Sequence, residues 1–476
     1  MLARLLRTFR HGVHPPESKE LTAALPIRRL PFPAQVVLPL SQHAGAPARP
    51  LVAVGDRVER GDKIAEEQGW VSSPVHASAS GTVAAVDLWP HASGTHQPAI
   101  RIDVEPYSPQ AARPRLVPDW RGLSPQELVE AVRQAGVVGL GGAAFPTHVK
   151  LVPPKDRAIE RLVLNGCECE PYLTTDHRTM VEHPERVHLG LRIMMRCLGV
   201  SRALIGVENN KPDALAALRR TQPGDLDVEI LGLTVKYPQG AEKMLIKALL
   251  DREVPEGGLP LDVGVVVQNV ASVATIAEVF ETGLPLIERI VTVTGPAVRR
   301  PANLIVPVGT RVRDLLEACG GLTDDAAEVV LGGPMMGNAL ADLDAPVMKG
   351  TTGVVALRAQ DVRDAAIHPC IRCGHCLDAC PVFLNPQLLG SLARNGRLDE
   401  MSDAHLGLCM VCGCCSYVCP SNIPLSQMFG AAKADLRRRR AQEAARKAAE
   451  DAAQRAAEQA TRTPAPAAAR AAGAPG

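Results

Sequence analysis

Eight cysteines carry the strongest chemical signal in the chain. They run Cys370-x2-Cys373-x2-Cys376-x3-Cys380-Pro381 and, after a short linker, Cys409-x2-Cys412-x2-Cys415-x3-Cys419-Pro420. A tight loop with this stepping presents three thiolates to one [4Fe–4S] cluster, whose four irons each need a sulfur from the protein. Gly374 and Gly413 sit inside the loops, where backbone passes close to sulfide and a side chain would obstruct it. The proline behind each last cysteine turns the chain away. Zinc is the competing occupant, but zinc sites use two separated pairs of ligands rather than four evenly stepped thiolates. Cys414 is an extra thiol beside a ligand and reads as a non-ligand.

Each half matches the bacterial ferredoxin run, in which the fourth cysteine serves the other cluster. The expected ligand sets therefore cross. One is Cys370, Cys373, Cys376 and Cys419; the other is Cys409, Cys412, Cys415 and Cys380.

The rest of the chain must position these thiols and feed them. Its 476 residues exceed one ordinary core, so three or four domains are expected. A net charge of +1 argues against nucleic acid as the main partner. The remaining cysteines (Cys167, Cys169, Cys197, Cys319, Cys414) show no disulfide pattern, which suits a reducing cytoplasm. Cys197 and Cys319 lie on helical patterns and read as small buried hydrophobes. Aromatic residues are only 3%, so the cores must rest on Val, Leu, Ile and Ala. No apolar run is long enough to span a bilayer; the best, residues 261–280, carries Asp262, Gln268, Asn269 and Glu278. Arg4, Arg7 and Arg10 precede no apolar signal segment, so any membrane role is peripheral.

Residues 1–40 are Pro-rich and read as an irregular arm packed on a neighbour, with His11 and His14 in structural or interface roles. Residues 41–115 read as all-β, broken at Gly55-Asp56, Gly61-Asp62 and Ser80-Gly81-Thr82. Residues 116–286 alternate helix and strand. Ser124-Pro125-Gln126-Glu127 starts a helix, and strand-like runs at 161–164, 203–207, 228–231 and 263–267 imply a largely parallel sheet. Polar loops follow those strands or stand beside them. Gly139-Leu140-Gly141-Gly142 leads to Lys150, and glycines let backbone N–H groups approach a phosphate or flat ring while lysine adds charge. Asn165-Gly166-Cys167-Glu168-Cys169-Glu170, residues 236–243, and Gln268-Asn269-Val270-Ala271-Ser272 point the same way. The alternatives are one nucleotide crevice or unrelated surface loops. Residues 287–362 offer hairpin, helix and returning strands, and the turn Gly332-Gly333-Pro334-Met335-Met336-Gly337 reads as a buried turn rather than a redox-sensitive methionine site, since methionines usually fill cores. Residues 363–435 hold the cluster repeats. Residues 436–476 are a basic, Ala-rich helix and then a disordered tail from Thr463. Arg437, Arg438, Arg439 and Arg440 offer weak contact with anionic lipid, or simply a solvated face.

Several stretches resemble known families. Residues 41–115 resemble the lipoyl/biotinyl carrier sandwich, but no lysine lies between Lys63 and Lys150 to bear a prosthetic group. This domain is therefore structural or a docking module. Gly141-Gly142-Ala143-x-Phe145-Pro146-Thr147-x-x-Lys150 and Asn165-x-x-Glu168-x-Glu170-Pro171 resemble the flavin-binding NADH-dehydrogenase subunit of complex I. Residues 287–362 are similar to the β-grasp module beside that flavin domain. Joined to the tandem ferredoxin repeats, the chain resembles the RnfC family, the C subunits of the Rnf (Rsx) ion-translocating complexes, from His11 to about residue 435.

The resemblance implies FMN and NADH at the crevice. Gly141, Gly142 and Lys150 would hold flavin phosphate and ring; Asn165 and Glu168 would contact flavin; Glu170 would lie near it or the nicotinamide. Gln268, Asn269 and Ser272 would cradle the phosphate, and Glu242 would stand alone because Ala241 replaces its partner glutamate. Leu140 and Cys167 depart from the complex I pattern as well.

The fold class expected is multidomain α+β: lipoyl-like sandwich, α/β flavin domain, β-grasp module, helical two-cluster ferredoxin-like domain and tail. The expected function is that of a peripheral subunit on the cytoplasmic face of the bacterial inner membrane. It would pass electrons between NADH, FMN, two [4Fe–4S] clusters and the membrane-embedded and peripheral subunits of an ion-translocating complex. A stand-alone flavin–iron–sulfur NADH oxidoreductase and a non-enzymatic ferredoxin-like relay are the competing readings.

Overall fold

The protein is described by a computed structural model covering residues 7–114, 119–154, 156–362 and 366–462. Its first unit is built on β1 (Ile27–Arg29), β2 (Gln35–Pro39), β3 (Arg49–Pro50), β4 (Arg57–Val58), β5 (Lys63–Glu66), β6 (Val75–His76), β7 (Gly81–Pro90) and β8 (His96–Val104). One sheet runs β2-β8-β7-β4 and a smaller one β3-β5-β6. Val36, Leu38, Ile64, Val75, Ile100 and Ile102 fill the space between them. The irregular arm expected over residues 1–40 needs correction, because it contains two strands. β2 pairs antiparallel with β8, and β1 pairs parallel with a strand of the third unit. Pro26, Pro31, Pro33 and Pro39 flank or end these strands, where a missing N–H is tolerated, and they mask the apolar run Val36-Val37-Leu38.

The second unit contains α1 (Pro125–Gln134), α2 (Thr147–Lys150), β9 (Arg161–Gly166), α3 (Thr175–Glu182), α4 (Pro184–Leu198), β10 (Ala203–Glu208), α5 (Pro212–Thr221), β11 (Val228–Leu233), α6 (Glu242–Leu250), β12 (Val265–Asn269) and α7 (Val270–Thr282). α1 starts on a capping box. Ser124 Oγ accepts from Glu127 N at 3.3 Å, and Glu127 Oε2 accepts from Ser124 N at 2.8 Å. All strand pairs are parallel, in the order β11-β10-β9-β12. The first strand is thus central, and the chain order reverses between β9 and β12. Open α/β sheets bind ligands outside the carboxyl ends of strands at such a reversal. Register places Asn165 beside Asn269 there. α4 and α7 cross closely: a Cβ on Gly190 would lie 1.9 Å from Val273 O.

The third unit holds β13 (Glu288–Thr294), β14 (Ala302–Pro307), α8 (Val312–Ala318), β15 (Ala326–Leu331), β16 (Asn338–Ala339) and β17 (Gly353–Arg358). Its sheet runs β1-β14-β13-β17-β15-β16, with β13 parallel to β17 and antiparallel to β14. The turn at 332–337 is not buried as the sequence suggested: Met336 is 55% exposed. The turn lies on the seam with the fourth unit rather than in a core.

That fourth unit is helical, with α9 (His375–Ala379), α10 (Pro386–Arg394), α11 (Leu398–Asp403), α12 (Cys414–Tyr417) and α13 (Leu425–Arg462). Gly374 and Gly413, both at φ +83°, are the left-handed residues that enter α9 and α12. α13 begins well before the basic run and carries it. The disordered tail expected from Thr463 lies outside the described residues. No helix among the described residues is long and apolar enough to cross a membrane.

Candidate functional site

The crevice at the β9/β12 reversal is built by short loops. Asn269 ends β12 and caps α7, its Oδ1 accepting from Ala271 N and Ser272 N. Ser272 Oγ accepts from Leu140 N at 2.7 Å, which fastens the glycine-rich turn onto the start of α7. Gly141 lies against Asn269, where a Cβ would stand 3.2 Å from its amide. Gly142, at φ +101°, opens on free space. Lys150 Nζ pairs with Glu242 at 2.7 Å and donates to Val267 O, so two expected site residues neutralise each other. Asn165 spans the floor, its Nδ2 donating to Gly240 O at 2.8 Å and its Oδ1 accepting from Cys167 N.

Glu168, expected to contact flavin, is engaged with the start of α3. Its carboxylate accepts from Thr175 Oγ1, Asp176 N and His177 N, so it caps α3. Asp176, which sequence reasoning missed, accepts from Asn269 Nδ2 at 2.6 Å. Burial, and then the nearby Glu168 charge, raise its pKa. No local sequence signal marks Asp176; its place is set by the fold of α3 over the crevice. Gln268 Nε2 and both polar atoms of Gln239 are buried without partners.

Glu170 stands apart from the phosphate end. Its Oε2 accepts from Met335 N at 3.0 Å, and Tyr237 Oη lies 3.4 Å from its Oε1. Burial pushes its pKa up to about 7 against the hydrogen bonds it accepts. Tyr237 Oη donates to Cys412 O at 2.8 Å, inside the cluster repeats.

The eight thiols differ in burial and in their charged neighbours. The Cys376 thiol is raised by burial, then by Cys373, Cys370 and Cys419. Cys409 is raised by burial, and both Cys412 and Cys380 add to it. Cys415 is also raised by burial, with Cys412, Cys409 and Cys380 adding to it. Cys380, Cys415 and Cys419 face the core of the helical unit, while Cys370 and Cys373 are exposed. Among the described residues no three His, Cys, Asp or Glu side chains converge as ligands of a single ion do. A cube takes its four sulfurs at four separate corners. Cys414 is 1% exposed and packs with Val13, Tyr237 and Ala379. A hydrogen bond from it helps hold the Cys412 thiol below its usual pKa.

The donor sets fit the implied groups. Eight thiols in two runs of four match the demand of two [4Fe–4S] clusters. An open glycine turn at Gly142 and a buried unpartnered amide at Gln268 match a flat ring with a polar edge, while a phosphate would have to compete with Glu242 for Lys150 and with Asn269 for the N–H groups at the start of α7.

Comparison with known proteins gives four family matches. They are the Nuo51 FMN-binding domain over residues 132–278, the RnfC barrel sandwich hybrid domain over 7–106, the SLBB domain over 290–339 and the 4Fe-4S dicluster domain over 366–423. The C subunit of the proton-translocating ferredoxin:NAD(+) oxidoreductase complex of Clostridium ljungdahlii is 44% identical over 84% of this chain and 88% of that one. The C subunit of the Na(+)-translocating complex of Acetobacterium woodii is 43% identical over 83% and 89%. The C subunit of the ion-translocating oxidoreductase complex of Rhodobacter capsulatus is 42% identical over 92% and 84%. Among solved structures, an NAD+-reducing [NiFe]-hydrogenase aligns at 20% identity over 66% of this chain and 61% of that one, with a TM-score of 0.46. With more than two-fifths of its residues shared over most of its length, this chain belongs to the family of C subunits of ion-translocating ferredoxin:NAD(+) oxidoreductase complexes.

Proposed function

We propose that this chain is the NADH-linked, peripheral subunit of such a complex, on the cytoplasmic face of the membrane. One loop carries the reading, because it reaches both sites. In residues 236–243, Gly240 O holds Asn165 in the crevice while Tyr237 Oη holds Cys412 among the thiols. Lys150 and the start of α7 would take the FMN phosphate, with Gly141 and Gly142 against the ring. Asn165 and Gln268 would meet the ring's polar edge, and Glu170 and Glu242 would lie toward the nicotinamide. FMN, when bound, accepts a hydride's two electrons and releases them singly, which clusters that carry one electron each require. Cys370, Cys373, Cys376 and Cys419 would hold one cluster, and Cys409, Cys412, Cys415 and Cys380 the other. The set containing Cys412, whose carbonyl Tyr237 holds, would be the one nearer the crevice, and the set with exposed Cys370 and Cys373 would pass electrons to the other subunits.

The arginine run has less charge to offer an anionic lipid than its sequence suggests. Arg438 pairs with Asp435 and Arg439 with Asp399. Purified under anaerobic conditions with FMN, the chain should show NADH-dependent bleaching of its cluster absorbance. Clusters that form and yet never respond to NADH would leave only the relay reading.

A further inference from the structure

The first described residues of the chain lie between the two redox sites. Thr234 N donates to Arg7 O at 3.2 Å, and Lys236 Nζ donates to Phe9 O while sitting 4.9 Å from the Phe9 ring. Val13 and Tyr237 exchange both backbone hydrogen bonds at 2.9 Å. On its other side the same segment holds the helical unit. Gly12 N donates to Ala379 O at 3.2 Å, His11 Nδ1 donates to Leu377 O at 3.2 Å, and the His11 ring packs edge-on against Phe383 at 4.5 Å. Leu377 and Ala379 lie on α9, between the ligands Cys376 and Cys380. Gly12 is at φ +83°, and a Cβ there would stand 2.5 Å from Tyr237 O. Only glycine fits that crossing.

The seam is otherwise thin. Its apolar part has four buried residues, Val13, Tyr237, Ala379 and Cys414, and Val13 belongs to the N-terminal segment. The His405–Glu256 pair, 2.9 Å apart, is exposed on both sides and so holds little. The Met335 turn backs onto Gly413, where a Cβ would lie 2.7 Å from Met335 O.

We propose that residues 9–13 and Tyr237 form a clamp that fixes the Cys409–Cys412–Cys415–Cys380 cluster against the nucleotide crevice, with Gly12 and Tyr237 as its positioning residues. The proposal rests on the NADH–FMN reading above. Electron transfer between two cofactors falls steeply with distance, so a clamp across the gap sets the internal rate without touching the chemistry at either end.

The test uses the full chain, loaded anaerobically with FMN, iron and sulfide. After NADH mixing, Gly12→Val should bleach flavin at the wild-type rate and clusters about tenfold or more slowly. Dithionite should still reduce both clusters, with both EPR signals retained. Amide exchange over residues 375–383 should rise. His11→Ala, which leaves the backbone path intact, should give a smaller slowing. Tyr237→Phe should shift the EPR signal of the Cys412 cluster alone. If Gly12→Val fails to fold, the other two variants decide. Wild-type cluster rates in His11→Ala, with an unshifted signal in Tyr237→Phe, overturn the clamp. A wild-type chain whose flavin ignores NADH overturns the reading beneath it and the clamp together.

Discussion

In the proposed ligand sets, Cys380 and Cys419 would each join thiols of the other repeat. That follows from the three-step loop, which can supply three corners of a cube but not the fourth. Cys380→Ala should therefore remove the cluster of Cys409, Cys412 and Cys415, and iron should fall to about half. EPR of the reduced protein should keep one signal, and loss of the other signal instead would contradict the crossing. The dicluster domain was legible because the cysteine spacing is local and its chemistry leaves few options. Glu168 and Asn269 were legible as polar residues at strand ends, but their roles were not. Both spend oxygens on helix starts, a use that depends on where α3 and α7 begin. Tyr237 was visible within its loop, yet its partner Cys412 is 175 residues away, and no local pattern encodes such a pair.

At the scale of elements, the parallel sheet could be read from its apolar runs, and the strand order could not. Order decides function here, since only the β9/β12 reversal brings Asn165 beside Asn269. β1 and β2 escaped notice because prolines dominate their neighbourhood and β1 pairs with a strand 276 positions on. Gly190 shows how closely the covering helices meet. Alanine favours a helix interior over glycine by about 1 kcal/mol. Here its methyl would meet backbone rather than a movable side chain. Gly190→Ala should therefore destabilise the α/β unit by about 1–3 kcal/mol, the usual cost of overpacking. Calorimetry should show a lower melting point for that unit; an unchanged or raised one would mean α4 and α7 are less tightly packed.

Across the whole molecule, buried polar ties join the units. Lys349 of the third unit donates to Pro74 O at 2.6 Å and Ser73 Oγ at 3.2 Å in the first, and to Gly136 O at 2.8 Å in the second. Nothing in its sequence neighbourhood distinguishes it from a surface lysine. Burial lowers its pKa to about 7, only partly offset by Glu67. The folded chain then gives up this proton at lower pH than the unfolded chain does, so this contribution to stability rises with pH between about 7 and 10. Denaturant unfolding of wild type and Lys349→Met should show a wild-type difference that grows by about 1 kcal/mol per pH unit over that window. A difference flat in pH would mean the amine is not held neutral. Electron transfer through this chain depends on two iron–sulfur cubes in the helical unit. Iron, acid-labile sulfide and zinc counted per chain in anaerobically prepared protein test this most directly. About eight irons and eight sulfides with no zinc are predicted; zinc in both thiol sets, or no labile sulfide, would contradict it.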